Sequence, residues 1–351
     1  MEAVKSVGSS GRSQKERSLG EESGGDEPPG GLNNVFRAIS LEGYLGIERI
    51  YVDYEGINPT GTHKDRIARV HVERAVRGGF SGITVGTCGN YGASIAYHSM
   101  IAGIKAVVFV PSGYSLERLY EIRTFGAEVV EIRGTYEEAV RASRRFASEN
   151  GFYDANPGSR REVDFEAYSS LAGEVLERVE PDVVFVPVGN GTTLAGLWRG
   201  FRRRGVEPRM VGVTTSFGNE VLRRFYGDPN VDFAETVLNE PLVSSESFDA
   251  DEALRAVYES GGYVFGFADD VALRYAGILH SKTHISPLPA SALTLAGLVK
   301  FVRKFGVGRK NFLLIVTGGV SNGTGPDTYG RALHDVRWKD GPRTRSVFQE
   351  V

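Results

Sequence analysis

Two periods alternate along most of this chain, and that alternation limits the fold more than any other feature. Short apolar, β-branched runs stand at Ile50–Tyr54, Ile83–Val85, Ala106–Val110 and Val129–Ile132, and again at Val183–Val188, Met210–Thr214 and Phe312–Val316. Between most of them lie helical stretches: Lys64–Arg77, Tyr91–Ile101, Ser115–Phe125, Tyr136–Glu149, Phe165–Val179, Thr192–Arg204 and Ser291–Phe305. Strands that alternate with helices fold as βαβ units around parallel sheets. The runs VVFV, VVFVPV and FLLIV are apolar at successive positions, as strands covered on both faces should be. Thr135 followed by Glu138 spells a capping box at one helix start. The expected fold class is α/β, two-lobed, with parallel sheets in three-layer arrangement and helices on both faces. A chain of 351 residues is long enough for roughly two domains.

Several function classes fall away on composition. The 41 basic and 44 acidic residues leave a net charge of −3, so no broad basic field points to nucleic acid or anionic lipid. No window approaches the ~18 to 20 apolar residues of a membrane span, and the N-terminus has no signal-peptide apolar stretch. A cytoplasmic location is expected. The single cysteine, Cys88, excludes an internal disulfide and a cysteine-based zinc cluster. His280 and His284 stand four apart, but Ser-Lys-Thr lies between them and Pro287 follows, so no metal site is expected. The first 34 residues hold Gly, Ser, Pro and charge almost without large apolar side chains, and are expected to be a disordered tail.

Ligands of open parallel sheets bind at the carboxyl ends of strands. Four turns there are rich in glycine or hydroxyl residues: Asn58-Pro-Thr-Gly-Thr-His-Lys-Asp-Arg66, Gly86-Thr-Cys-Gly-Asn-Tyr-Gly-Ala-Ser94, Pro187-Val-Gly-Asn-Gly-Thr-Thr193 and Thr317-Gly-Gly-Val-Ser-Asn-Gly323. The first is not a nucleotide P-loop, because Lys64 follows Gly61 by three residues and precedes Asp65. It offers an amine in the first turn of a helix, where Arg66, Arg69 and the helix dipole would ease loss of its proton. The second places Thr87, Cys88, Gly89, Asn90 and Tyr91 at a helix start whose free N–H groups suit a carboxylate. In the third, Gly189, Asn190, Gly191, Thr192 and Thr193 form a phosphate cradle, with glycine spacing wrong for a dinucleotide fingerprint. The fourth ends a strand on the neutral hydroxyl of Thr317. Each turn alone is more often an ordinary turn; the combination is specific.

Taken together, NPTGTHKDR, TCGNYGAS and GNGTT resemble the motifs of the fold-type II pyridoxal-phosphate enzymes, the family of threonine synthase, cysteine synthase and threonine dehydratase. The likeness covers about Leu45–Thr317, and PVGNGTTLAGLWRGF is most similar to the threonine synthase branch. The resemblance implies pyridoxal 5′-phosphate as cofactor, held by Lys64 through a Schiff base. It implies that Asn90 bonds the ring hydroxyl, Gly189 to Thr193 hold the phosphate, and Thr317 faces the pyridine nitrogen. Thr87 to Tyr91 would grip the carboxylate of a small amino-acid substrate, and Asn156 and Arg160 its phosphate. It further implies a larger cofactor domain of 35–65 and 158–340, a smaller domain of 66–157, and a C-terminal tail of 341–351. Family members are often dimers, so a homodimer is an allowed assembly.

The activity implied is elimination or replacement on an amino acid with an anionic leaving group, foremost O-phosphohomoserine and water to threonine and phosphate. His63, Ile67 and the run REVDFEAY depart from that branch. β-Replacement on O-phosphoserine, serine or threonine dehydration, and a non-catalytic binding protein therefore stay open.

Overall fold

The computed structural model describes residues 34–87, 89–113, 116–227 and 238–320. The expected tail segments 1–33 and 341–351 lie outside these residues. Asn34 does not belong to a tail: it is buried, its side chain donates to Glu55 Oε1 at 3.1 Å, and its carbonyl accepts from Tyr54.

The chain opens with β1 (Val35–Arg37), α1 (Ile39–Leu45) and β2 (Ile50–Tyr54), then α2 (Lys64–Arg77). A run of alternating elements follows: β3 (Gly82–Gly86), α3 (Asn90–Ala102), β4 (Lys105–Pro111), α4 (Leu116–Thr124), β5 (Glu128–Ile132), α5 (Tyr136–Asn150) and β6 (Tyr153–Asp154). The chain continues through α6 (Arg161–Leu176), β7 (Val183–Pro187), α7 (Thr192–Arg202), β8 (Arg209–Thr215) and α8 (Glu220–Tyr226). It ends with α9 (Ala250–Glu259), β9 (Tyr263–Phe267), α10 (Asp269–Thr283), α11 (Pro289–Phe305) and β10 (Phe312–Val316).

Two sheets result. One has the order β1-β2-β10-β7-β8-β9, parallel except for β1, and the other is the parallel sheet β5-β4-β3-β6. Side chains alternate across each strand, and both faces are buried. Phe312, Leu314 and Val316 pack with α1, α10 and α11 on one face, while Leu313 and Ile315 pack with α6, α7 and α9 on the other. In the smaller sheet Ala106, Val108 and Val110 meet α2 and α3, and Val107 and Phe109 meet α5. Successive apolar residues in sequence are thus explained by cover on both sides.

All seven strands expected from sequence are present, several one residue longer at an end. The capping box forms: the Thr135 hydroxyl accepts from the Glu138 amide and the Glu138 carboxylate from the Thr135 amide. Missing from the sequence reading are β1, β6 and β9, and helices α1, α8, α9 and α10. β1 and β6 have three and two residues, too few for a period to register. β9 carries a glycine, Gly266, where Leu222 packs so close that a Cβ would stand 2.6 Å from its methyl carbon. Among the described residues no helix is long and apolar enough to cross a membrane.

Helices α6 and α7 touch through glycine. A Cβ on Gly196 would lie 2.7 Å from Tyr168 Cβ, and one on Gly200 would lie 2.5 Å from the Ser169 carbonyl oxygen. Gly200→Ala gains roughly 1 kcal/mol of helix propensity, but its methyl meets backbone that cannot turn aside. Overpacking costs of about 1–3 kcal/mol win. Urea unfolding is expected to show a net loss of stability for Gly200→Ala.

Candidate active site

The loop after β2 is tied down on three sides before it delivers Lys64. Asn58 Nδ2 donates to Glu55 Oε2 at 2.8 Å. The amide and hydroxyl of Thr60 both donate to Asp65 Oδ2, at 2.8 and 3.0 Å, while the other Asp65 oxygen faces His98 Nε2 at 3.1 Å. Gly61, at φ +75°, turns its carbonyl to the Gly319 amide at 2.9 Å. Thr62 then bridges antiparallel to Gly318. The residues around the lysine therefore serve to lock one strand-end loop against another.

Lys64 begins α2 with its amine directed at Tyr168, donating to the phenol oxygen at 3.3 Å. Among the described residues it has no ion-pair partner. Burial lowers its pKa from 10.5 to about 8, opposed by the charges of Asp164 and Asp249. This corrects the expectation that Arg66 and Arg69 release the proton. The Arg66 fork is occupied by Glu55 and Glu174 at 2.6 to 2.7 Å, and Arg69 lies on the surface 3.8 Å from Glu73. Loss of hydration does the work instead.

His63 stacks on Tyr168 with ring centroids 5.3 Å apart. Its Nδ1 stands 3.0 Å from the Thr317 carbonyl and its Nε2 3.1 Å from Thr193 Oγ1. Burial, helped by the Lys64 charge, holds its pKa well below the usual histidine value. The bonding pattern then assigns the neutral tautomer in which Nδ1–H donates to the carbonyl and Nε2 accepts from the threonine.

The other turns converge on the same cavity of about 570 Å³. Thr87, Asn90 and Tyr91 line it, with Asn90 opening α3 and Tyr91 Oη donating to the Ala155 carbonyl at 3.1 Å. Gly89, at φ +117°, is buried behind that wall as the α3 cap, and Cys88 lies outside the described residues. Gly189, Asn190, Gly191, Thr192 and Thr193 also line the cavity. Gly191 caps α7 at φ +91°, and a Cβ there would stand 2.6 Å from Ala253 Cβ. With glycine as cap, no side chain closes the first turn of α7. Thr192 Oγ1 donates to Asp249 Oδ2 at 2.6 Å, and Arg161 Nε donates to Asp249 Oδ1 at 2.7 Å. Thr317 lines the cavity too, its hydroxyl 2.8 Å from Ser291 Oγ.

Two expected substrate contacts are corrected. Asn156 is fully buried: its oxygen accepts from the Gly86 amide at 2.6 Å and its nitrogen donates to Ser143 and Asp154. Its polar atoms brace the scaffold. Arg160 is exposed, donates to the Asp154 carbonyl at 3.1 Å and stacks on Tyr153, outside the cavity lining. The guanidinium lining the cavity is that of Arg118, 2.5 Å from Glu121. Sequence reasoning also missed Asp164, Tyr168 and Ser291. Acidic residues and serines are common in first helical turns, so only the fold distinguishes these.

A family profile described as pyridoxal-phosphate dependent enzyme matches residues 27–318. The chain belongs to that family. It is 30% identical over 304 residues to the threonine synthase of Methanocaldococcus jannaschii, covering 81% of this chain and 73% of that protein. It is 29% identical over 299 residues to the threonine synthase of Methanosarcina acetivorans, with the same coverage of 81% and 73%. Among solved structures, cysteine synthase from Entamoeba histolytica superposes with a TM-score of 0.72 at 20% identity, over 91% of this chain and 92% of that one. That likeness speaks to the fold.

The chain is therefore a pyridoxal-phosphate-dependent lyase, and its cofactor is pyridoxal 5′-phosphate. The donor set of the cavity fits it. A desolvated amine suits an aldehyde, a glycine-capped helix start suits a phosphate, and neutral hydroxyls close the far end.

The buried amine has a consequence for the cofactor-free protein. Below about pH 8 Lys64 is protonated in folded and unfolded chains alike, and the folded state carries the whole desolvation penalty. As pH rises from about 8 toward 10.5 the folded amine loses its proton first, and the penalty fades. Relative to Lys64→Met, urea unfolding of the apoprotein should gain up to about 3 kcal/mol across that window.

Proposed function

We propose that the protein converts O-phospho-L-homoserine and water to L-threonine and phosphate. The observation that carries this reading is the meeting of the Lys64 amine, the glycine-capped start of α7 and the Thr317 hydroxyl in one cavity. The threonine synthase relatives support the choice within the family. Lys64 holds the cofactor and, once freed by substrate, moves protons at Cα and then Cβ. With its pKa lowered to about 8, about a tenth of the free amine is neutral at pH 7, far more than for an ordinary lysine at 10.5. Gly189 to Thr193 hold the phosphate, Asn90 the ring hydroxyl, and Thr87 to Tyr91 the substrate carboxylate. Thr317, its hydroxyl held by Ser291, would meet the ring nitrogen with a neutral group that could not keep it charged as a carboxylate would. Bound cofactor supplies the electron sink for carbanion chemistry.

One observation favours a second reading. Arg160 faces away, and the cavity carries Glu121, Glu137 and Asp164 against Lys64 and Arg118. An acidic lining suits an uncharged hydroxyl leaving group better than a phosphate, which points to serine or threonine dehydration.

Purified holoenzyme should release phosphate and threonine in equal amounts from O-phosphohomoserine, and Lys64→Ala should lose at least about 1000-fold in rate. Absence of phosphate release, with keto acid formed from threonine instead, would select the second reading.

A further inference from the structure

Asp164 stands apart from the machinery assigned so far. It lies in the first turn of α6, is 4% exposed, and lines the cavity. Its Oδ1 is 2.6 Å from His71 Nε2, and His71 is fully buried on α2. His71 Nδ1 is 3.1 Å from the Tyr153 hydroxyl, and the Arg160 guanidinium covers the Tyr153 ring at 4.1 Å. Among the described residues, nothing donates a hydrogen bond to the second oxygen, Oδ2. A nine-tenths-buried carboxyl that lines the cavity thus keeps one oxygen without a donor.

The network tolerates either protonation state without moving a heavy atom. With Asp164 ionised, His71 Nε2–H donates to Oδ1, and Nδ1 accepts from the Tyr153 hydroxyl. With Asp164 protonated on the free oxygen, Oδ2–H is available as an acid while His71 Nε2–H still donates to Oδ1 and Nδ1 still accepts from the Tyr153 hydroxyl. Asp164 is faced by His71 and Lys64 on α2, Tyr91 on α3, Tyr153 on β6, Tyr168 on its own helix, and Asp249. Burial raises its pKa, with Asp249 adding to this and His71 and Lys64 opposing.

We propose that Asp164, backed by the His71–Tyr153 pair, is a second acid–base residue of the site, acting on the oxygen substituent of the substrate side chain. The assignment rests on the reading of Lys64 given above. As the carbon–oxygen bond breaks, its electron pair leaves with the oxygen, and Asp164 gives that oxygen a proton. The pair freed where Lys64 removes hydrogen from the neighbouring carbon becomes the second bond of a carbon–carbon double bond. Where water then adds, its oxygen bonds carbon, the double-bond pair takes a proton from Lys64 at the neighbouring carbon, and the water proton passes to Asp164; where none adds, Asp164 recovers its proton from solvent. The substrate class is an amino acid with oxygen at Cβ or Cγ, either a phosphate ester or a free hydroxyl.

Asp164→Asn keeps an acceptor for His71 and removes the acid. Holoenzyme in heavy water would be followed by proton NMR with L-2-aminobutyrate, which has no leaving group and reports α-hydrogen exchange by Lys64 alone. In parallel, phosphate release from O-phosphohomoserine and keto-acid release from L-threonine identify the substrate arm. The expected result is a loss of turnover of the active substrate at least about 100-fold larger than any change in exchange. Parallel loss of exchange and turnover, or no loss of either, overturns the proposal. A wild-type enzyme that exchanges no α-hydrogen overturns the Lys64 reading, and this assignment with it.

Discussion

Parallel strands end on the same side of their sheet, and here that constraint brings distant chain segments into one space. The turns after β2, β3, β7 and β10 are separated by up to hundreds of residues, yet all four line a single cavity. The Gly61–Gly319 hydrogen bond and the Thr62–Gly318 bridge fasten the first turn to the last. Sheet order gathers the turns after β2, β7 and β10, and the turn after β3 comes from the smaller sheet to line the same cavity.

Electrostatics at the site follow from what is kept away from Lys64. A carboxylate at bonding distance would hold the amine charged, and the structure places only a phenol there. The nearest basic neighbour in sequence, Arg66, is gripped by two carboxylates and ties α2 to α6 through Glu174. Asp164 and Asp249 lie near enough to moderate the effect of burial without cancelling it. The lysine thus keeps a reachable proton while the framework around it stays ionically satisfied.

Much of this was readable from the chain alone, for physical reasons. Strands buried on both faces leave continuous apolar runs, and helix α2 was legible to its boundaries because Lys64–Arg77 is periodic and bounded by turn residues. The four turns declared themselves through glycine and hydroxyl content. What failed was anything decided by side-chain direction. Asn156 and Arg160 stand beside a strand end, where a ligand contact was expected, but their side chains turn to the scaffold and to Tyr153. Asp164 and Tyr168 lie at the start of a run that reads only as a helix, and the docking of α6 sets one at the cavity and the other beside Lys64.

The glycine seam between α6 and α7 has an evolutionary implication. Gly196 and Gly200 let the two helices meet backbone to backbone, so neither can tilt or slide without dragging the other. One opens on the glycine-capped turn proposed to hold the cofactor phosphate, and the other carries Asp164 and Tyr168. A lineage seeking a new substrate therefore cannot re-aim α6 as a rigid body without spoiling its grip on the cofactor. Change is channelled into swapping individual side chains on a fixed chassis.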